Sequence, residues 1–145
     1  MLADAAATHA LGRLLAGCVR AGDVIALEGP LGAGKTSLAR GLLAGLGLEG
    51  EAPSPSFAIV QPYAPPELRM PVLHVDLYRI DDPLELDELG LDDARTDGVL
   101  IVEWPERAGQ SAWPDALVLR FAMAAGGGRA LTAVVPPAWG DRWPT

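Results

Sequence analysis

The sequence contains no asparagine and a single lysine, although arginine occurs ten times. A GTPase of the Ras type reads guanine with an Asn-Lys-x-Asp loop, and a protein kinase holds a metal ion with an asparagine of its catalytic loop. Neither loop can be built from this chain, so both classes are excluded. The one lysine, Lys35, remains where a compact ammonium fits a tight cradle of backbone N–H groups better than a planar guanidinium would.

Other features that the sequence lacks indicate the cellular compartment and the kinds of partner to expect. The only cysteine, Cys18, excludes an internal disulfide and fits a reducing compartment. No run of eighteen apolar residues predicts a transmembrane helix, and the N-terminus lacks the basic start of a secretory signal. The net charge of −8 and the scattered arginines argue against an independent grip on tRNA or DNA. We therefore expect a cytoplasmic protein with one domain over residues 1–145, and no membrane or DNA partner.

Residues 29–36, here called the phosphate loop, match the pattern G-x-x-x-x-G-K-[ST] at every fixed position. An apolar run precedes the loop and a helix-like run follows it, which is the strand–turn–helix context that the motif needs. Its glycines let backbone N–H groups approach phosphate oxygens, and the helix N-terminus adds partial positive charge. Lys35 would bridge the β- and γ-phosphates of a nucleoside triphosphate, and the Thr36 hydroxyl would bind Mg²⁺. The predicted nucleotide contacts are Gly29, Pro30, Leu31, Gly32, Ala33, Gly34, Lys35, Thr36 and Ser37.

The hydrophobic pattern predicts an α/β fold of the P-loop NTPase type. Helices are predicted at 3–20, from the phosphate loop to about 46 and at 82–89, and strands at 24–28, 57–63, 72–77 and 99–103. Two further apolar runs, 116–123 and 129–135, are joined by glycines and predict an antiparallel hairpin. We expect a three-layer sandwich with a mostly parallel central sheet, helices on both faces and antiparallel C-terminal edge strands. The proline-rich end, 136–145, predicts a flexible tail.

Two carboxylates directly follow or end apolar runs, Asp76 after 72–75 and Glu103 after 99–102. The carboxyl ends of parallel strands are where open α/β sheets bind ligands, so both side chains could face the nucleotide. One could bind Mg²⁺ through water while the other orients the attacking water. Alternatively, either carboxylate could cap its strand or pair with an arginine, such as Arg79 near Asp76.

Three other positions keep two interpretations open. Ser56, near Ser54, lies where P-loop proteins often keep a switch segment, and its hydroxyl could complete the Mg²⁺ shell or belong to an ordinary turn. His74 lies on the strand face opposite to Val75 and fits a buried or supporting histidine better than a metal ligand. Trp104 is either a packing residue or a partner contact.

Four stretches make the chain resemble the TsaE (YjeE) family of small bacterial ATPases. They are the phosphate loop, S-P-S-F at 54–57, H-V-D-L-Y-R at 74–79 and E-W-P-E at 103–106. The resemblance extends over nearly the whole chain, from Thr8 to Arg129. Two positions depart from the family pattern: Ser56 replaces a usual threonine but keeps the hydroxyl, and Pro30 replaces a residue that is often polar and removes one backbone donor.

This resemblance implies an activity and partners. The family hydrolyses ATP with Mg²⁺ and works with TsaB and TsaD, which transfer a threonylcarbamoyl group to adenosine 37 of tRNA. Thr36 and Glu103 look like the Mg²⁺ ligands, Lys35 like the phosphate ligand, and Asp76 resembles the essential acidic residue. Thr8 and Arg129 fall where nucleotide contacts are expected. We therefore expect tRNA to be reached only through the complex. Hydrolysis by the isolated protein is expected to be slow for a separate reason, since nothing obvious in the sequence supplies an arginine finger.

Two other functions remain open from the sequence. A small-molecule kinase would pass the γ-phosphate to a metabolite, but such enzymes usually carry an arginine-rich lid, and Arg40, Arg69 and Arg79 are isolated. A non-catalytic nucleotide switch would bind ATP and recruit partners through residues 50–57 and the acidic surface.

Overall fold

A computed structural model of the protein describes residues 5–30, 34–48, 60–66, 68–77, 95–105, 113–123, 128–140 and 142–143. Its helices are α1 (Ala5–Ala16), α2 (Lys35–Gly45) and a short 3-10 helix (Pro137–Trp139). Its strands are β1 (Val24–Glu28), β2 (Val60–Tyr63), β3 (Val72–Asp76), β4 (Val99–Glu103), β5 (Leu117–Met123) and β6 (Arg129–Val134). Within the described part of the chain, no helix has the length and apolar character needed to cross a bilayer.

The six strands form one mixed sheet in the order β2-β3-β4-β1-β5-β6. The four central strands β3, β4, β1 and β5 run parallel, and β2 and β6 pair antiparallel at the two edges. The predicted mostly parallel sheet with an antiparallel C-terminal hairpin is therefore confirmed. The direction of β2 was not predicted. Only residues 64–71 connect β2 to β3, and a parallel pair needs a longer crossover connection.

The two faces of the sheet carry separate hydrophobic clusters, because alternate residues of each strand point to opposite sides. On one face α1 and α2 pack against β1, β4 and β5, with Leu15, Leu38 and Ile101 fully buried. The other face is built around Leu100 and Val102. Among the described residues no helix contributes to this second cluster. The helix predicted at 82–89 lies outside the described residues.

The first helix is shorter than the sequence predicts. It ends at Ala16 instead of residue 20, and its first two predicted residues, 3 and 4, lie outside the described residues. At its C-terminus, the amides of Gly17 and Cys18 donate to the carbonyls of Leu14 and Leu15 and form a turn. This turn leads the chain directly toward β1.

The predicted flexible tail is wrong for the described part of 136–145. Trp139 is 2% exposed and packs in the same cluster as α1 and α2. Arg142 donates to both carboxylate oxygens of Asp23, at 2.8 and 3.0 Å, and to the carbonyl of Cys18 at 2.9 Å. The hydrogen bonds to Asp23 hold the pKa of Arg142 above its usual range. Burial of a large indole and a bidentate ion pair therefore fasten this segment to the turn before β1.

Candidate functional site

The part of the phosphate loop between β1 and α2 begins and ends at a glycine, and the backbone conformation of each would strain any other residue. Gly29 follows β1 with φ of 142°, and Gly34 precedes α2 with φ of 108°. A Cβ atom at Gly29 would lie 2.7 Å from the carbonyl oxygen of Phe121, so β5 also requires glycine here. Pro30 is exposed. The predicted contacts Leu31, Gly32 and Ala33 lie outside the described residues.

The first turn of α2 presents its N-terminus to the phosphate loop. Gly34 occupies the cap position, and no side chain within the described residues caps it. The backbone N–H groups of this turn carry the positive end of the helix dipole, so the position suits an anion. Thr8, a predicted nucleotide contact, is fully buried on α1 and lies against Gly34. Ser37, another predicted contact, lies in the same first turn of α2 and is half-buried.

The lysine of the phosphate loop is buried, at 4% exposure. Its Nζ donates to the carbonyl of Gly29 at 2.7 Å and lies 3.6 Å from the centre of the Trp104 ring. An ammonium is attracted to the face of an indole as well as to a carbonyl oxygen. The ammonium of Lys35 is therefore held at the entrance of the loop by groups of the protein itself.

Trp104, which the sequence left as a packing residue or a partner contact, packs against the cluster around Leu100 and Val102. Its ring also contacts the ammonium of Lys35 in the site. Its backbone has φ of 60°, which is rare for a bulky residue, and its amide donates to Leu27 at 3.3 Å. Strained backbone is tolerated where the surrounding structure fixes it, and this occurs often at functional sites. The signal in the sequence was the Trp-Pro pair directly after the acidic end of β4.

A chain of side chains connects α2 to the acidic end of β4. The Thr36 hydroxyl donates to Glu103 Oε1 at 3.4 Å, a long hydrogen bond. The other carboxylate oxygen, Oε2, lies 2.7 Å from His74 Nε2 on β3. Thr36 and Glu103, which the sequence predicted as partners on one metal, are thus brought together by the fold. The contact between His74 and Glu103 was not predicted.

Parallel register places the second predicted carboxylate beside the first. Asp76 is opposite Glu103 in the β3–β4 pairing, and Glu103 is opposite Leu27 in the β4–β1 pairing. Both carboxylates belong to the strand positions that face α2, since Val99 and Ile101 of the same alternation pack in the helix-side cluster. Asp76, Glu103 and the start of the phosphate loop therefore lie at one edge of the sheet.

The donors at this edge fit Mg²⁺ in chemical type. A threonine hydroxyl and a carboxylate are hard oxygen ligands, which Mg²⁺ prefers. Within the described ranges, no group of three His, Cys, Asp or Glu side chains could hold a metal by itself. A metal ion bound between Thr36 and Glu103 would accordingly need further ligands from beyond the described side chains, among them the phosphate and water oxygens that Mg²⁺ commonly keeps.

Two predicted residues cannot be placed in this arrangement. Ser56, the third predicted metal ligand, lies outside the described residues. Arg129 begins β6 opposite Met123, and its side chain also lies outside the description. The backbone of Arg129 pairs with the last residue of β5, three positions past Arg120, which pairs with the end of β1 at Glu28. Arg129 therefore lies at the same end of the sheet as the phosphate loop.

Comparison with known proteins gives a consistent result. The family model for "Threonylcarbamoyl adenosine biosynthesis protein TsaE" matches residues 2–130. The tRNA threonylcarbamoyladenosine biosynthesis protein TsaE of Streptomyces coelicolor is 42% identical over 137 residues, which cover 93% of each chain. The protein of the same name from Synechocystis is 46% identical over 116 residues, 75% of this chain and 71% of that one. The crystal structure of YdiB from Bacillus subtilis superposes with a TM-score of 0.79 at 30% identity, covering 96% of this chain and 86% of that one.

Proposed function

The chain belongs to the TsaE family, whose members take part in the biosynthesis of threonylcarbamoyladenosine in tRNA, and we propose that it acts there by Mg²⁺-dependent binding and hydrolysis of ATP. One observation carries this proposal. The phosphate-loop lysine, the Thr36 hydroxyl and the Glu103 carboxylate converge at the edge of the sheet where β1 enters the loop. Phosphoryl transfer needs little covalent chemistry from a protein, so positioning and charge are what such a site must supply.

The residues of the loop would bind the triphosphate. Backbone N–H groups of the phosphate loop and of the first turn of α2 would hold phosphate oxygens, with Thr8 and Arg129 as further nucleotide contacts. The ammonium of Lys35 would exchange the Gly29 carbonyl and the Trp104 ring for phosphate oxygens. This exchange replaces a neutral acceptor by a charged one, so the attraction between opposite charges is added to the hydrogen bond. Binding of ATP would thus draw the lysine out of its resting position.

The residues at the carboxyl ends of β3 and β4 would bind the metal ion and orient the attacking water. Thr36 and Glu103 would hold Mg²⁺, joined by Ser56, and the bound ion would neutralise charge that develops on the β- and γ-phosphates. Asp76 would orient the attacking water. We assign this role to Asp76 because it lies opposite Glu103 in the β3–β4 pairing, while Glu103 is held in place by Thr36 and His74. A carboxylate held at both oxygens suits a fixed ligand better than a group that follows a water molecule.

The proposed partners are TsaB and TsaD, whose transfer reaction ATP hydrolysis would drive or reset. The isolated protein would turn over slowly. Arg95 and Arg142 form ion pairs with Asp115 and Asp23, which precede β5 and β1 and therefore lie at the opposite end of the sheet from Lys35. An arginine that stabilises the transition state in other P-loop enzymes accelerates hydrolysis by about 10³- to 10⁵-fold. A partner-dependent rate would follow if such a group comes from the complex.

The test measures phosphate release and threonylcarbamoyladenosine formation from ATP with purified protein, alone and with TsaB, TsaD, tRNA and an activated donor of the threonylcarbamoyl group. We expect slow phosphate release alone, a faster rate in the mixture, and modified tRNA only when all components are present. A phosphorylated metabolite in place of free phosphate would indicate a kinase. Full tRNA modification by a Glu103→Gln variant that binds ATP without hydrolysing it would indicate a non-catalytic switch. Equal hydrolysis with and without the partners would refute their proposed role.

A further inference from the structure

The least explained group near the proposed metal position is a buried histidine. The side chains of His74 and Glu103 are 1% and 5% exposed, and His74 Nε2 lies 2.7 Å from Glu103 Oε2. This is the shortest side-chain contact that Glu103 makes within the described residues. His74 lies two positions before Asp76 on β3, so both side chains are on the α2 side of the sheet. His74 is one pair of residues farther from the edge at which the site lies.

The contact fixes which ring nitrogen of His74 carries the proton. A carboxylate only accepts hydrogen bonds, so Nε2 must be the donor at this distance. The other nitrogen, Nδ1, is buried and has no hydrogen-bond partner among the described residues. If the proton were on Nδ1 instead, the lone pair of Nε2 would face a lone pair of Glu103 Oε2. The N–H group at Nδ1 would also be buried without an acceptor among the described residues. Both features favour the Nε2–H tautomer.

This bond in turn fixes the orientation of the carboxylate. With Oε2 held by His74, rotation of the carboxyl group of Glu103 is restricted, and Oε1 is directed to the Thr36 hydroxyl. Oε1 and the Thr36 oxygen are the two atoms that would bind Mg²⁺. A histidine that engages the second oxygen of a ligating carboxylate orients that ligand without touching the metal.

We infer that His74 is a positioning residue that holds Glu103 in the orientation needed for Mg²⁺, and that it does so as the Nε2–H tautomer. The inference rests on the proposed function, because it assigns a role to His74 through the metal site proposed above. It predicts that removal of the donor weakens the binding of Mg²⁺ in the nucleotide complex. It also predicts that nucleotide binding without metal is unaffected, since no hydrogen bond joins His74 to the described part of the phosphate loop.

The first test uses the unmodified chain and NMR of its ring nitrogens. The sequence has two histidines, so a His9→Gln variant assigns the signals. We expect His74 to carry its proton on Nε2 both in the free protein and in the complex with Mg²⁺ and a non-hydrolysable ATP analogue. A proton on Nδ1 in either state would overturn the inference.

The second test replaces His74 by phenylalanine, which keeps a planar ring, and by glutamine, whose terminal amide reaches nearly as far as Nε2 and can donate to Oε2. Binding of a fluorescent ATP analogue is titrated with Mg²⁺ and, separately, measured in excess chelator. For His74→Phe we expect the Mg²⁺ concentration at half-effect to rise about 10- to 100-fold, the usual effect of losing such a supporting group. Binding in chelator should change less than about twofold, and His74→Gln should recover most of the loss.

A matched control separates positioning from general loosening of the sheet. Val75 is fully buried next to His74 but packs in the cluster on the other face. Val75→Ala should lower stability without changing the Mg²⁺ dependence. The inference fails if His74→Phe keeps the Mg²⁺ dependence of the unmodified protein, or if Val75→Ala reproduces its effect. If His74→Phe does not fold, the inference is decided by the ring-nitrogen NMR and by whether His74→Gln keeps the Mg²⁺ dependence of the unmodified protein. Absence of any Mg²⁺ effect on the unmodified protein would instead refute the proposed function itself.

Discussion

Replacing Glu103 by glutamine should separate what this residue does for the fold from what it does for the proposed hydrolysis of ATP. Glutamine has the same shape as glutamate, and its amide oxygen can still accept from His74 Nε2. Its amide nitrogen would then face the oxygen of Thr36, where it can donate instead of accept. Both contacts of the buried side chain, at 2.7 and 3.4 Å, can therefore be kept with changed polarity. The negative charge, in contrast, is lost completely.

The expected change in stability follows from the strengths of these bonds. A hydrogen bond to a charged group contributes about 1.5–3 kcal/mol and a neutral one about 0.5–1.5 kcal/mol, so Glu103→Gln should cost roughly 1 kcal/mol. Burial of the charge no longer has to be compensated, which reduces this cost further. Glu103→Ala is different because it leaves the donor of His74 buried and unpaired. That alone costs about 1–3 kcal/mol, in addition to the loss of packing.

The expected change in rate is the same for both variants. A neutral amide is a poor ligand for Mg²⁺, and loss of one preorganised charge-stabilising group typically lowers kcat on the order of 100-fold or more. Urea unfolding without nucleotide measures stability, and phosphate release in the mixture with TsaB and TsaD measures hydrolysis. Glu103→Gln should therefore be nearly as stable in urea as the unmodified protein. Its rate of phosphate release should be nearly as low as that of Glu103→Ala. Equal destabilisation by glutamine and alanine would refute the hydrogen-bond argument, and a normal rate for glutamine would refute the metal role of Glu103.

Three further outcomes are expected. Lys35→Ala should abolish hydrolysis and leave the circular dichroism spectrum unchanged, and Lys35→Arg should not restore activity because a guanidinium does not fit this buried position. Trp139→Ala should lower the free energy of unfolding in urea by about 3–5 kcal/mol, since the indole is buried; a change below 1 kcal/mol would favour a loose C-terminal segment. The hydrogen bond from Arg95 lowers the pKa of Asp115 below its usual 3.8, so this pair stabilises the fold above that pH and less as the pH falls through the lowered value. The stability difference between the unmodified protein and Arg95→Gln should therefore shrink on acidification, and a constant difference would contradict the ion pair.

The strands that form the site were predictable because their sequence signals are local. A continuous apolar run of four residues that ends in a glutamate predicts a central strand, and β1 and β4 have the predicted bounds, Val24–Glu28 and Val99–Glu103. A carboxylate at the end of such a run identifies the functional edge of a parallel sheet without any knowledge of strand order. The phosphate-loop pattern predicted an acidic side chain near Thr36 but left Asp76 and Glu103 both open, and the resemblance to the TsaE family selected Glu103.

Contacts that depend on strand order could not be predicted in this way. His74 reaches Glu103 only because β3 is next to β4 and the two strands are in parallel register. Trp104 reaches Lys35 because β4 is next to β1, and because its backbone adopts a positive φ that no local pattern indicates. Each contact joins residues that are more than 25 positions apart in the chain, so the sequence shows the participants but not their partners.

The C-terminal segment shows how composition can mislead. Proline and glycine around Trp139 favour turns, and turn-rich ends are often loose, so a flexible tail was the natural prediction. An indole, however, removes more apolar surface from water than most side chains, and here it packs against the helices while Arg142 closes over its ring at 4.4 Å from the centre. A single large apolar residue therefore outweighed the local signals around it.

The geometry of the site and the register of the sheet cannot be separated. Side chains alternate between the faces of a strand, so a slip of one residue between β3 and β4 would turn every side chain of the slipped strand to the other face. Glu103 would then lose both His74 and its neighbour Asp76. The register is fixed by the two hydrophobic clusters, since Val75 on one face and Val72 on the other are almost completely buried. Packing at positions that touch no ligand thus keeps the carboxylate beside the Thr36 hydroxyl, and a core substitution in β3 that keeps an apolar side chain should lower stability before it changes this register.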